Sequence, residues 1–224
     1  MMKRESTGIK EVDSMMQGGL PANSIVGISG PPGVGKSIFC LHFLLEGARL
    51  GQKCVYVNLE EPKSNIDNLI AQFEFSSEFK KFVKSGKIVI QCHNYTEFEN
   101  IYSDFFQRIN EENVQRLVVD SFNVFFTSIF SSKDIPTEIN INKMINKAVS
   151  MLRKDNMTTM LILEKHKDNY NVPYLVDGMI DLDFLDLGTI ERRLFISKMR
   201  RTDQFRESIP YEISNKGIVL NDEK

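Results

Sequence analysis

The sequence predicts an α/β fold in which helices cover both faces of a mostly parallel central sheet, and antiparallel strands extend that sheet at the C-terminal end. Three observations predict it. Apolar runs of strand length alternate with segments of helical periodicity as far as about residue 163. Four strand-like runs separated by short turns then close the chain. A glycine-rich turn also joins the first buried strand directly to a helix, which is typical of parallel sheets.

Apolar content and spacing predict each element in turn. Apolar residues between 9 and 16 share one helical face, so a helix should open the chain with Ser6 or Thr7 as its cap. Further helices are predicted after the glycine-rich turn, in the phenylalanine-rich region 73–82, over 96–110 and over 137–154. Strands are predicted at 24–29, 54–59, 88–90, 116–121, 158–163, 179–182, 194–198, 209–213 and 218–220. The segment 122–134 is expected to be irregular, and 164–173 to be a polar loop.

Length and composition limit the class of protein. A chain of 224 residues suits one large domain, so we expect residues 1–224 to form a single domain. With 28 basic and 30 acidic residues, the overall charge does not indicate a nucleic-acid or membrane partner. Three scattered cysteines without metal-ligand spacing are typical of free thiols in a reducing compartment. Because no long apolar run is present, we expect a soluble, cytoplasmic protein.

A complete phosphate-binding loop (P-loop) motif, G-x-x-x-x-G-K-S, occupies residues 30–37. It lies between a strand and a helix, as a P-loop requires. Glycines allow successive backbone N–H groups to turn inward around a phosphate, and the positive end of the helix dipole points to the same place. The lysine adds a mobile positive charge, and the serine hydroxyl can bind Mg²⁺. The predicted nucleotide contacts are Gly30, Pro31, Pro32, Gly33, Val34, Gly35, Lys36, Ser37 and Ile38.

Two acidic positions follow predicted strands and could complete the site. Asp120 ends a continuously apolar strand, and it could contact the Mg²⁺ held by Ser37 directly or through a water molecule. The alternative is an acid that only begins a surface loop. Glu60 and Glu61 follow the strand at 54–59, and one of them could orient the attacking water. Adjacent residues of an extended chain point in opposite directions, so only one can face the phosphate well, and Glu60 is the leading candidate. Either could instead cap the next helix.

The ordered set of motifs resembles the RecA-like ATPases, and within them the KaiC-like family of bacteria and archaea. The resemblance covers nearly the whole chain and rests on Thr7-Gly8-Ile9, Gly18-Gly19-Leu20-Pro21, the P-loop, Glu60-Glu61, Val119-Asp120-Ser121, Asp177-Gly178 and Lys198-Met199-Arg200. It implies a RecA-like core that assembles head to tail into a hexameric ring or filament, with ATP at the subunit boundary.

The resemblance also assigns roles to residues. It implies that the paired glutamates supply the base, and that Lys198 and Arg200 reach the γ-phosphate bound by the neighbouring subunit. Without the resemblance, the favoured interpretation is that Lys198, Arg200 and Arg201 form a solvated, charged edge that protects the last hairpin. Family members usually carry glycine after the Lys-x-Arg motif, whereas this chain has Arg201, so a flexible turn should be lost and a charge gained.

We therefore expect a regulatory, Mg²⁺-dependent ATPase that hydrolyses ATP slowly, acts as a homo-oligomer and controls an unidentified protein partner. Circadian clock members of the family have two tandem copies, and this chain has one, which argues against a clock role. Two alternatives remain open. One is a DNA-repair accessory protein related to the recombinase paralogues, which would bind single strands through 164–170, although no basic cluster supports it. The other is an ATP sensor without turnover.

Overall fold

A mixed sheet forms the centre of the molecule. The computed structural model describes residues 2–93, 109, 112–128, 138–164, 171–186, 188–203 and 205–220. Most of the helix predicted at 96–110 and most of the loop predicted at 164–173 lie outside these residues. The strands are β1 (Arg4–Glu5), β2 (Leu20–Pro21), β3 (Ile25–Gly30), β4 (Cys54–Asn58), β5 (Ile88–Cys92), β6 (Arg116–Asp120), β7 (Thr158–Glu164), β8 (Gly178–Asp186), β9 (Ile190–Met199), β10 (Ile209–Ser214) and β11 (Gly217–Leu220).

Helices lie on both faces of the sheet. They are α1 (Lys10–Ser14), α2 (Lys36–Arg49), α3 (Lys63–Ala71), α4 (Ser76–Lys84), α5 (Phe122–Ser128), α6 (Glu138–Leu152) and α7 (Val172–Leu175). The sheet order is β11-β10-β9-β8-β3-β7-β6-β4-β5. Neighbours from β8 to β5 pair in parallel, whereas β9, β10 and β11 add antiparallel strands at the β8 edge. The predicted fold class is confirmed. No helix in the described part of the chain is long and apolar enough to cross a membrane.

The central strands are buried on both faces. Side chains of alternate residues belong to two separate core clusters. Val26, Tyr56 and Val118 pack on the side of α2, whereas Ile25 and Val57 pack on the side of α5 and α6. Such two-sided burial explains the continuous apolar runs of the sequence. It also fixes which residues at the strand ends face α2.

Three local predictions were wrong. Ser6 and Thr7 do not cap α1; their hydroxyl groups donate to the Asp13 carboxylate at 2.6 and 2.7 Å, and this contact holds the N-terminal segment against α1. The segment after β6 is helical over α5, because Phe122 and Phe125 are spaced by one turn and pack together in the core. A short helix, α7, also replaces the end of the predicted polar loop, with a proline in its first turn. The small sheet β1–β2 was not predicted.

A buried arginine joins the N-terminal strand to the central sheet. Arg116, the first residue of β6, is fully enclosed. Its guanidinium donates to Gln52 Oε1 at 2.6 Å and to the carbonyl oxygens of Ser6 and Phe43, both at 2.7 Å. It also forms an ion pair with Glu5 at 3.2 Å. Because the charge has several partners, burial is tolerated, and β1 is held in a defined position.

His42 connects α2 to the last strand. Its Nε2 accepts a hydrogen bond from the backbone N–H of Ile218 at 3.1 Å, so the ring must be neutral at that nitrogen. A side chain at Gly217 would overlap the imidazole, since a Cβ there would lie 2.1 Å from Nε2. Burial, together with the charge of Arg49, lowers the pKa of His42 to about 4.

This pKa predicts an acid-dependent loss of stability. Between pH 6.5 and 4 the unfolded chain binds a proton at His42 and the folded chain does not, so stability falls as the pH decreases. We expect this group to contribute on the order of 2–3 kcal/mol of that loss. Chemical denaturation at several pH values should show that His42→Gln, which keeps an acceptor but cannot titrate, loses less stability than wild type over this range. Parallel losses in the two proteins would contradict the assignment.

Candidate active site

The P-loop adopts the conformation that its glycines permit. Gly33 and Gly35 have φ values of 76° and 109°, a region that side chains other than glycine rarely adopt. The loop turns from the end of β3 into α2, which begins at Lys36. The Lys36 ammonium donates to the carbonyl oxygens of Gly30 and Pro31 at 2.7 and 3.0 Å. The lysine therefore lies across the mouth of the loop, close to where a phosphate would enter.

The C-terminal extension supports the P-loop from behind. The Tyr211 hydroxyl on β10 donates to the carbonyl oxygen of Val34 at 2.6 Å. A Cβ at Gly30 would lie 2.2 Å from the carbonyl oxygen of Leu182 on β8. The loop is thus held by strands that lie roughly 150 to 180 residues away in the sequence. The absence of a side chain at Gly30 has a packing cause.

Asp120 lies beside Ser37, as the sequence predicts. The Ser37 hydroxyl donates to Asp120 Oδ2 at 3.0 Å. The Tyr56 hydroxyl from β4 donates to the same oxygen. Burial raises the pKa of Asp120 to about 6, although the hydrogen bonds from Tyr56 and Ser37 favour the charged form and lower it. A serine hydroxyl and a carboxylate at this separation are hard oxygen donors, which are the ligands that Mg²⁺ prefers.

The Glu60–Glu61 turn is held by side chains of two neighbouring strands. Asn58, at the end of β4, accepts hydrogen bonds from the backbone N–H groups of Glu60 and Glu61, each at 3.1 Å. Its amide nitrogen donates to the carbonyl oxygen of Glu61 at 2.6 Å. The hydroxyl of Ser121, the residue after Asp120, donates to Glu60 Oε1. The Glu60 carboxylate is therefore tied to the end of β6, next to the candidate metal ligand.

These groups surround one cleft with about 200 Å³ of space accessible to water. Its polar lining consists of Lys36, Ser37, Asn58, Glu60, Glu61, Asp120, Ser121 and Glu164. Burial lowers the pKa of the Lys36 ammonium, and the carboxylates of Asp120, Glu164 and Glu60 oppose that change. Pro32 and Gly33 also line it, while Gly35 and Ile38 line a neighbouring cavity with about 190 Å³ of space accessible to water. The cleft thus places a cation, hydroxyl groups and carboxylates around the P-loop.

Sequence reasoning missed Tyr56, Asn58 and Ser121. For Tyr56 and Asn58 the sequence contains only part of the signal, the alternation of side chains along β4. Tyr56 and Asn58 are two residues apart on β4, so their side chains share one face. Strand β4 pairs with β6 so that Asn58 lies opposite Asp120, which places all three side chains on the α2 face. The pairing itself could not be read from one sequence.

Lys198 and Arg200 lie at the opposite end of the sheet from the P-loop. Lys198 pairs with Met179, which pairs with Gly27, three residues before the end of β3. This register places Lys198 roughly 10 Å back along the strands, and Arg200 farther still. The Lys198 ammonium donates to the carbonyl oxygens of Pro173 and Val176 at 2.6 and 2.7 Å. The two cations therefore do not belong to the cleft of their own chain.

The chain turns at Arg201 although no glycine is present there. Its φ is 61°, so an arginine occupies a left-handed conformation that glycine adopts without strain. Its guanidinium lies 3.8 Å from Asp177, with 49% of the side chain exposed. The expected loss of the turn is therefore not observed.

The P-loop, the acids at the strand ends and the sheet order together define a RecA-like P-loop nucleotide-binding protein. A family model described as "ATPase: KaiC" matches residues 5–224. The chain belongs to this KaiC ATPase family.

Individual relatives agree with this assignment. A UPF0273 protein of Pyrococcus furiosus is 29% identical and covers 100% of this chain and 96% of that protein. A UPF0273 protein of Thermotoga maritima is 30% identical, over 98% of this chain and 96% of that protein. The circadian clock oscillator protein KaiC of Parasynechococcus marenigrum is 26% identical over 96% of this chain, which matches 44% of that protein. A KaiC-like protein of Pyrococcus horikoshii has a solved structure with a TM-score of 0.84 and 28% identity, covering 99% of this chain and 100% of that chain.

The Arg201 backbone leads to a stability prediction. Arg201→Gly should raise the free energy of unfolding by about 0.5–1 kcal/mol, because relief of the left-handed strain exceeds the entropic cost of glycine. The exposed ion pair with Asp177 contributes little. Arg201→Ala is the matched control: it removes the same charge but retains the Cβ, so no gain is expected. Equal effects of both variants in urea denaturation would show that charge, not backbone strain, is responsible.

Proposed function

We propose that residues 1–224 form one Mg²⁺-dependent ATPase domain that hydrolyses ATP slowly and acts as a homo-oligomer. The observation that carries this proposal is the contact between the P-loop and the strand ends. Ser37 hydrogen-bonds to Asp120, and Glu60 hydrogen-bonds to the residue that follows Asp120. Membership of an ATPase family supports the same reaction. Regulation of a protein partner is the role that we infer for such an assembly.

The donor groups suit a magnesium–triphosphate complex. The P-loop amides, the α2 N-terminus and Lys36 would bind the phosphates, while Ser37 and Asp120 would hold Mg²⁺ directly or through water. Mg²⁺ usually keeps most of its ligands as water and phosphate oxygens, so it needs few protein ligands. The single pair of Ser37 and Asp120 agrees with this requirement. When bound, Mg²⁺ would neutralise charge on the β- and γ-phosphate oxygens.

Of the two glutamates, Glu60 fits the task of orienting water better. Its carboxylate is held by Ser121, beside Asp120, and its backbone is held by Asn58. One oxygen is occupied by the serine hydroxyl, and the other is available to accept a hydrogen bond from water. In-line attack depends on such fixed orientation more than on basicity. Glu61 would then contribute to the cleft through its charge and its backbone.

Substitution of each glutamate tests this assignment. Glu60→Gln should reduce kcat by at least about 100-fold, the usual range for a lost general base. Glu61→Gln, the matched control at the next position, should change kcat by no more than a few-fold. Affinity for MgATP, measured by calorimetry, should be similar in both variants. Background turnover in wild type and both variants would instead identify an ATP sensor.

The position of Lys198 and Arg200 supports action in trans. Since their own cleft lies at the other end of the sheet, a phosphate that they contact must belong to another subunit. Positive charge supplied to the transferring phosphoryl group would then couple hydrolysis to assembly. This arrangement predicts that an isolated chain turns over ATP poorly.

Mixing two inactive variants tests the trans assignment. Arg200→Ala should lower kcat at least about 100-fold, within the range expected for a phosphate-contacting arginine. Glu60→Gln lacks the base but keeps Arg200. Mixed oligomers should regain turnover, because a Glu60→Gln subunit can supply Arg200 to an intact cleft of its neighbour. Mixing Arg200→Ala with the double variant is the control and should restore nothing. Full activity of dilute wild-type monomer would overturn the proposal.

A further inference from the structure

The turn that follows Arg200 has little support from the sheet. Strand β9 ends at Met199 and β10 begins at Ile209, so the intervening residues are held by other contacts. Arg201 within this turn has a left-handed backbone. Arg200 itself donates its backbone N–H to the carbonyl oxygen of Asp177 at 2.8 Å and its guanidinium to the carbonyl oxygen of Tyr174 at 3.1 Å. The direction of its side chain therefore depends on these bonds and on how the turn that follows is fixed.

Arg4 links this turn to the segment between α1 and β2. Its guanidinium donates to Thr202 Oγ1 at 2.6 Å and to the carbonyl oxygen of Arg201 at 3.2 Å. In the segment between α1 and β2, the same guanidinium donates to Gln17 Oε1 at 3.0 Å and to the carbonyl oxygen of Gly19 at 3.3 Å. Only a planar guanidinium offers several donors in a fixed fork, so a lysine could not make this set of bonds.

The strand that carries Arg4 is itself firmly held. The next residue, Glu5, is buried and contacts Arg116 at 3.2 Å and Gln52 at 2.8 Å. Strand β1 also pairs with β2, with Arg4 opposite Pro21. Arg4 therefore bridges a rigid part of the core and the turn.

We propose that Arg4 is a positioning residue for the trans-acting Arg200. By holding Arg201 and Thr202, it orients Arg200 toward the γ-phosphate of the neighbouring subunit without touching nucleotide itself. The inference rests on the proposed trans role of Arg200. A small displacement of a catalytic group is enough to slow a reaction substantially, because orientation contributes a large share of the rate.

The test compares Arg4→Met with Arg49→Met in the full-length, assembled protein. Arg49 also makes two hydrogen bonds through its guanidinium, to Glu78 at 2.9 and 2.6 Å, but its partners Glu46 and Glu78 lie outside the turn, and its loss should leave kcat unchanged. Arg4→Met should lower kcat roughly tenfold. Its KM for ATP and its oligomer mass should match wild type, since the P-loop is untouched. Thr202→Val, which removes only the acceptor hydroxyl, should lower kcat in the same direction by a smaller factor.

A double-mutant cycle separates positioning from general destabilisation. Arg4→Met should have no further effect on turnover in an Arg200→Ala background, because the group that it positions is absent. An equal effect in both backgrounds, unchanged turnover in the single variant, or failure of Arg4→Met to assemble would each overturn the inference. If Arg200→Ala alone retains full turnover, the trans role fails instead. The two failures are therefore distinguishable.

Discussion

Burial of the parallel strands on both faces is the constraint on which the site depends. Because the interiors of β3, β4, β6 and β7 are apolar, polar groups can gather only where these strands end. The register then selects the members: Asn58 lies opposite Asp120, and Gly30 lies opposite Glu164. Because side chains alternate along β6, Asp120 points to the face that α2 covers, and Ser37 lies in the first turn of that helix. The contact between Ser37 and Asp120 is thus a result of sheet pairing rather than of the P-loop alone.

Much of this arrangement could be predicted from the sequence, since it depends on local pattern. The P-loop motif predicts its strand–loop–helix structure, and the apolar run before Asp120 predicts a buried strand, each from a single stretch of sequence. Tyr56 and Asn58 could not be predicted, because their role depends on which strands are neighbours, and one sequence does not contain that information. The helix α5 was missed for a different reason: its phenylalanine and valine residues favour strands by intrinsic propensity, and tertiary packing overrides that preference.

The antiparallel extension links the two ends of the sheet. At one end, Tyr211 on β10 holds the P-loop through the carbonyl oxygen of Val34. Strand β9, the partner of β10, carries Lys198 at the other end of the strands. A subunit in a head-to-tail assembly could thus connect its own nucleotide to that of its neighbour through a paired hairpin.

The two cations of this hairpin are not equivalent within the chain. Burial, followed by repulsion from Arg200, lowers the pKa of Lys198, and two carbonyl oxygens around α7 accept its hydrogen bonds. Release of Lys198 toward a phosphate would cost those bonds, each worth about 1 kcal/mol or more. Arg200 donates through one nitrogen to the carbonyl oxygen of Tyr174, and a guanidinium has five N–H donors. Within the proposed trans role, Arg200 would therefore be the better placed cation for a first contact with a neighbouring phosphate, because it would keep its hydrogen bond to Tyr174, whereas Lys198 would first lose its two bonds beside α7.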